Sequence, residues 1–289
     1  MITGHFEYHR PKTVDEVVSL LSRHGDDGRV VAGGHSLVPM MKMRLADPAH
    51  LIDLRNVAGL DRIREDAGNI RIGATVTQHA IVESELLARK LPILKEAALL
   101  IADPQVRYVG TIGGNVANGD PGNDMPAVMM ALGARFVLRG PKGEREVDPR
   151  AYYEAPYVTA IGDAEVLTEI RIPVPPARHG WAYAKMKRKI GDYATTATAV
   201  ILTLEGGVCK SAAIALTNVA PTPLYVEAAG KALVGTKGDA AAIATAANAA
   251  MKAADPVSDM RGPAEFRRHV TGVMTQRAIE TALKRARGG

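Results

Sequence analysis

Two five-residue segments, Ala32-Gly33-Gly34-His35-Ser36 and Thr111-Ile112-Gly113-Gly114-Asn115, carry residue types with which a backbone can hold an anion. Each sets a glycine pair beside a hydroxyl or amide side chain, so that N–H groups can approach a phosphate with no Cβ in the way. A pyrophosphate between two such loops would receive several donors at once. One Gly-Gly loop alone is more often an ordinary turn. Here the pair is joined by Gly110 to Asp124, a stretch dense in Gly, Asn and Asp. Asn118, Asp120 and Asn123 within it are equally suited to Asx turns and receive no separate role.

Other nucleotide signatures are missing from the sequence. Neither Gly-x-Gly-x-x-Gly nor Gly-x-x-x-x-Gly-Lys-Ser/Thr occurs, which removes the usual dinucleotide and ATP motifs. Gly34-His35-Ser36-Leu37-Val38 falls short of a hydrolase elbow because valine stands where the sharp turn needs glycine. Ser36 is therefore a weak nucleophile candidate. The single cysteine, Cys209, can neither close an internal disulfide nor supply the four thiolates of an iron–sulfur cluster. Eight histidines are scattered without zinc-binding spacing, so no metal site is expected.

The elements that must position these segments read as α+β. Thr13-Val14-Asp15-Glu16 forms a capping box, Val14, Val17, Val18 and Leu21 recur at helical spacing, and Gly25 ends the helix. Arg29 to Ala32 and His50 to Leu54 read as strands, with an apolar turn over Leu37 to Met43 between them. The alternation predicts a small parallel sheet in an α/β subdomain over residues 1–57.

A second α+β subdomain, residues 58–176, is expected to contain a strand over Ile70 to Ala74 and a helix capped by Thr77 and running through Glu85. A further helix over Ile93 to Ile101 is stopped by Asp103-Pro104, and another over Ala127 to Leu132 is capped by Asp124 with Pro126 early in it. Strands at Arg135 to Leu138 and Glu165 to Ile172 complete it. Pro173-Val174-Pro175-Pro176 marks the next boundary. Residues 177–289 then open on a hairpin, Ala197 to Leu204 and Val208 to Leu216 across Glu205-Gly206-Gly207, followed by alanine-rich helices.

Net charge is +5 with a pI near 9.3, densest over Lys185 to Lys189. Aromatics make up 4% of the chain and no base-stacking or helix-turn-helix signature accompanies the charge, so nucleic acid is not the expected partner. The cations are better suited to a bound phosphate or an acidic partner subunit. No apolar run approaches a membrane span and the first residues lack a leader pattern, so a cytoplasmic location is expected, with docking on the inner membrane face through partners left open.

The two glycine segments, Gly119-Asp120-Pro121-Gly122-Asn123-Asp124-Met125-Pro126 and Lys185-Met186-Lys187-Arg188-Lys189-Ile190-Gly191-Asp192-Tyr193-Ala194 together resemble the flavin subunits of xanthine-dehydrogenase-type molybdenum hydroxylases. Phe6-Glu7-Tyr8-His9, Ile101 to Arg107 and Leu216-Thr217-Asn218-Val219-Ala220 extend the likeness over the whole chain, nearest to the branch that serves aerobic carbon monoxide dehydrogenases. The resemblance implies a two-subdomain FAD-binding fold of the vanillyl-alcohol-oxidase/PCMH type plus a C-terminal α+β domain. It implies non-covalent FAD, with Ala32 to Ser36 and Thr111 to Asn115 around the pyrophosphate and Asp124 on ribityl or ribose hydroxyls. Leu167 would pack near the flavin or adenine, Lys185 would approach the isoalloxazine ring, and Tyr193 would cover one ring face.

It implies further that substrate is oxidised elsewhere: a large molybdopterin subunit would do the chemistry, a small subunit with [2Fe-2S] clusters would relay electrons, and a quinone or other acceptor would take them, in a dimer of heterotrimers. A related hydroxylase acting on an N-heterocycle or aldehyde is the nearest alternative. A free-standing oxidase with His35 as flavin tether, and a non-redox nucleotide- or nucleic-acid-binding module, are the others. Without the resemblance, Lys185 reads as a residue on a solvated strand edge and Tyr193 as a domain-interface aromatic.

Overall fold

In the first 57 residues, local signals build one layer. In the computed structural model, which describes residues 2–288, helix α1 (Val14–His24) starts where Thr13 Oγ1 accepts from the Glu16 N–H and stops at Gly25. Its Val17, Val18 and Leu21 bury against Ile52 and Leu54. Strands β1 (Glu7–His9), β2 (Gly28–Val31) and β3 (His50–Asp53) form a parallel sheet in the order β1-β3-β2. The expected apolar turn over Leu37 to Met43 is instead a short helix, α2 (Leu37–Lys42), which buries Met41 against Val31 and Leu51.

The second layer is antiparallel. Strands β4 (Ile63–Asp66), β5 (Asn69–Gly73), β6 (Arg135–Gly140), β7 (Gly143–Val147) and, after a small ladder of β8 (Tyr153–Ala155) and β9 (Val158–Thr159), β10 (Val166–Pro173) pair in the order β4-β5-β10-β6-β7. Ile70, Ile72, Phe136 and Ile170 point into the core beneath helices. Those helices are more broken than the sequence suggests. The run begun at Thr77 ends at Ser84, which caps a new helix, so α3 (Gln78–Glu83) and α4 (Glu85–Lys90) precede α5 (Pro92–Leu100). Asp103 does not merely stop α5; its side chain caps α6 (Pro104–Val109). The second glycine segment is helical too, α7 (Ile112–Ala117) with Thr111 as its cap. Asn123 is the N-cap of α8 (Asp124–Leu132), which makes Asp124 its first residue rather than its cap.

Past the prolines, β11 (His179–Met186), β12 (Thr196–Glu205), β13 (Val208–Thr217) and β14 (Leu224–Tyr225) form an antiparallel sheet in chain order. Both faces are covered. Ala197, Ala199 and Ala215 belong to the core that contains the fully buried α8, their small side chains leaving room for it. Val200, Leu202 and Ile214 face α9 (Glu227–Leu233), α10 (Ala240–Ala253) and α11 (Ala264–Ala286).

Two hydroxyl pairs join α11 to β12: Thr196 with Thr271 at 3.0 Å and Thr198 with Thr275 at 3.1 Å, all four side chains fully buried. A Thr198→Val change strands the Thr275 hydroxyl and is expected to cost about 1–3 kcal/mol, whereas Thr198→Val with Thr275→Val removes both polar groups and should recover most of that loss. Urea melts of the two variants against the wild type check this. Equal losses for the single and double variants would mean the pair contributes packing only.

Candidate functional site

A cleft of about 900 Å3 opens where the end of β2, α7, the β8–β9 ladder and β11 converge. Both five-residue glycine segments line it except Ile112, whose side chain is buried in the core beneath. Asp124, Leu167, Lys185 and Tyr193 line it as well. Residues from the first and last thirds of the chain thus meet in one place. The volume lies in the range of small-molecule and cofactor sites.

The two glycine segments do different work. Gly33 sits against another backbone: a Cβ there would lie 2.4 Å from the Val109 carbonyl oxygen. Gly34 has φ +71°, a conformation that other side chains rarely take. Among the described residues the N–H groups of Gly34, His35 and Ser36 have no protein acceptor, so this turn keeps backbone donors for a ligand.

The second segment has spent four of its five backbone donors. The Ile112 and Gly113 N–H groups bond the Val76 and Ala74 carbonyls, Gly114 bonds Thr111 Oγ1 at 3.0 Å, and Asn115 bonds the Thr111 carbonyl. Several backbone donors from both loops is therefore not what the structure provides. What the segment retains among the described residues is the Thr111 N–H, the Thr111 hydroxyl proton and the Asn115 amide nitrogen. The Asn115 amide oxygen already accepts from the Met125 N–H. Gly113 is required by packing, since a Cβ would stand 2.4 Å from the Ala74 carbonyl oxygen.

On the opposite wall the Asp124 carboxylate accepts from the Tyr183 hydroxyl at 2.5 Å and from Lys185 Nζ at 2.8 Å. The Lys185 side chain is 1% exposed and that of Asp124 6%. Lys185 lies on the edge strand β11, but not on a solvated edge. Burial pushes the Asp124 carboxyl upward, against the Lys185 charge, and pushes the Tyr183 phenol far up, helped by Asp124. Lys187, which shares the Leu100 carbonyl with Lys185, is shifted down by burial and by its neighbour's charge. Leu167 is buried in the floor. Tyr193 is half exposed, lies against Gly122, and has its phenol pushed up to about 12 by burial and by Asp120.

One residue was invisible to motif reasoning. Gln78, the first residue of α3, lines the cleft at 2% exposure, and neither its amide oxygen nor its amide nitrogen has a partner among the described residues. A buried, unpaired amide is costly unless something else satisfies it. Its only sequence signal is a polar residue directly after the cap Thr77. An unpaired amide, free backbone donors and a buried ion pair around one cleft suit a large polar ligand that carries phosphate and hydroxyl groups.

The model of the FAD binding domain in molybdopterin dehydrogenase matches residues 4–175, and that of the CO dehydrogenase flavoprotein C-terminal domain matches residues 181–282. The chain belongs to the FAD-binding flavoprotein family of the molybdopterin dehydrogenases. It is 58% identical to the carbon monoxide dehydrogenase medium chain of Afipia carboxidovorans, over 99% of this chain and all of the relative. The corresponding chain of Hydrogenophaga pseudoflava is 45% identical, with 99% of each covered. The solved structure of reconstituted CO dehydrogenase from Oligotropha carboxidovorans superposes with a TM-score of 0.97 at 58% identity, over 99% of this chain and 100% of that one.

Because the Gln78 amide has no partner among the described residues, Gln78→Leu is expected to leave the ligand-free chain at least as stable as the wild type. It should lower flavin affinity about tenfold, the worth of one lost hydrogen bond of roughly 1.4 kcal/mol. Flavin-fluorescence titration with parallel melts checks this, and unchanged affinity would remove Gln78 from the site.

Proposed function

We propose that this chain is the FAD-carrying medium subunit of a molybdenum-dependent carbon monoxide dehydrogenase, and that it passes electrons without touching the substrate. The observation that carries the reading is end-to-end 58% identity to a carbon monoxide dehydrogenase medium chain, combined with a cleft whose unpaired donors suit a dinucleotide. FAD, when bound, supplies the redox chemistry; the protein supplies binding, orientation and local charge.

In this reading the Ala32 to Ser36 turn holds the pyrophosphate through its backbone N–H groups, with the Thr111 hydroxyl and Asn115 amide completing the cradle. Ile112, buried below, and Gly113 and Gly114 give that turn its shape. Asp124 accepts from sugar or ribityl hydroxyls, for which each oxygen keeps a lone pair beyond Tyr183 and Lys185. Leu167 supplies apolar packing. The buried ammonium of Lys185 favours negative charge beside it, and Tyr193 offers a flat amphipathic face. The partners are a large molybdopterin subunit and a small iron–sulfur subunit, arranged as a dimer of heterotrimers and reducing a quinone or similar acceptor. No helix among the described residues is long and apolar enough to cross a membrane, so contact with a membrane-borne quinone would be made through the complex.

Adding carbon monoxide anaerobically to the purified complex should bleach both the flavin and the cluster absorbance. A Tyr193→Ala complex should keep the cluster bleaching and show a slowed or lost flavin component. Bleaching by dithionite but not by carbon monoxide would sink the substrate assignment and leave electron transfer standing. A complex without flavin would overturn the reading altogether.

A further inference from the structure

Glu7, His9, His24 and His50 come together on the face of the N-terminal sheet that α1 covers. Registers explain it. Glu7 pairs with His50 and His9 with Ile52, so the alternation that sends Ile52 into the α1 core sends Glu7, His9 and His50 to the same side. His24, the last residue of α1, closes over them, its ring stacked on that of His50 at 3.6 Å between centroids. His9 Nε2 stands 3.1 Å from His50 Nδ1, and one ring nitrogen from each of the three histidines falls within 4.8 Å of the others. Glu7 Oε2 lies 3.4 Å from the same His50 Nδ1. All three rings are partly exposed and open to an aqueous ion.

We infer that His9, His24 and His50, with Glu7 as fourth ligand, form a binding site for a divalent transition-metal ion of the Zn2+ class. Zinc–nitrogen bonds of about 2.0–2.1 Å at tetrahedral angles place ligand nitrogens roughly 3.4 Å apart. The His9–His50 gap is already near that value, and the His24 ring, now stacked on His50, must turn about its side-chain torsions to aim a ring nitrogen at the shared ion. Neutral imidazoles select zinc, nickel or copper over the oxygen-seeking Mg2+ and Ca2+. Three histidines and a carboxylate fill a tetrahedron, which makes the site structural: the ion ties β1 and the end of α1 to the central strand β3. The inference does not depend on the identity of the ligand in the cleft.

The test uses the full chain without a polyhistidine tag, stripped by a chelator and titrated with Zn2+ by calorimetry, with Mg2+ as control. One equivalent of Zn2+ and none of Mg2+ is expected, with a rise in melting temperature. His24→Ala should weaken binding at least tenfold, and His9→Ala with His24→Ala and His50→Ala should abolish it. Should the triple variant fold poorly, Co2+ loaded into the wild-type chain gives an independent readout: tetrahedral d–d bands and imidazole scattering in X-ray absorption are expected. Absence of stoichiometric Zn2+ binding by the folded chain, undiminished binding by a folded triple variant, or octahedral oxygen coordination of Co2+ would each overturn the site.

Discussion

The buried pair of Asp124 and Lys185 is the contact on which the arrangement of the cleft depends. It joins the first turn of α8, in the second layer, to the edge strand of the third sheet. Two charges removed from water are tolerable only if every remaining donor and acceptor is met. Tyr183 meets the second carboxylate oxygen, and the Leu100 carbonyl accepts another Lys185 proton. Leu100 is the last residue of α5, whose terminal carbonyls lack partners within the helix and carry the negative end of its dipole. Lys185 thereby neutralises one helix terminus while it pairs with the first residue of another. A second link runs nearby: Glu96 of α5 accepts from the Tyr183 N–H and from Arg285 of α11. The third sheet is held in register with the cleft wall by directional bonds, and apolar burial fills the space between.

The N-terminal layer meets the second by a different principle. Gly33 is pressed on the backbone of Val109 and Gly110, and the Gly110 carbonyl in turn accepts from the Gln78 N–H. Backbone packed on backbone admits no side chain, so spacing across that side of the cleft is set by van der Waals contact rather than by rotamers. The consequence is a division between the two glycine segments. Among the described residues the first leaves the N–H groups of Gly34, His35 and Ser36 free, whereas the second uses up those of Ile112 to Asn115 because Thr111 and the Val76 and Ala74 carbonyls fasten α7 in place. Both segments are glycine pairs in sequence, and only the hydrogen-bond partners tell a cradle from a support.

That distinction marks where sequence stops being informative. The α1 cap, the hairpin at Gly206-Gly207 and the helix α8, apolar throughout after Asp124, depend on residues a few positions apart, and local chemistry determines them. Ser84 and Asp103 act as caps within a continuous helical pattern, and each can be read equally as a loop residue until the next helix is seen to start there. Strand β1 has three residues and too little periodicity to register, though it carries two members of the histidine and glutamate cluster. Lys185 looks like part of a basic surface run because its burial is set by Asp124 and Leu100, far off in the chain. The orphaned amide of Gln78 and the meeting of His9, His24 and His50 are likewise products of tertiary structure, with no motif to announce them.

The single cysteine gives the clearest limit on what this chain can do alone. Cys209 lies in β13 at 1% exposure, and burial raises its thiol further from ionisation. A thiol held protonated is neither a cluster ligand nor a nucleophile, and a cluster takes four such ligands in any case. One-electron iron–sulfur relays therefore belong on another chain. This chain contributes a cleft that is lined on one side by free backbone donors and on the other by a buried cation, with a half-exposed tyrosine at its rim. Such a site fixes where negative charge can reside, which is what a protein must supply around a bound flavin whose own ring carries the redox chemistry.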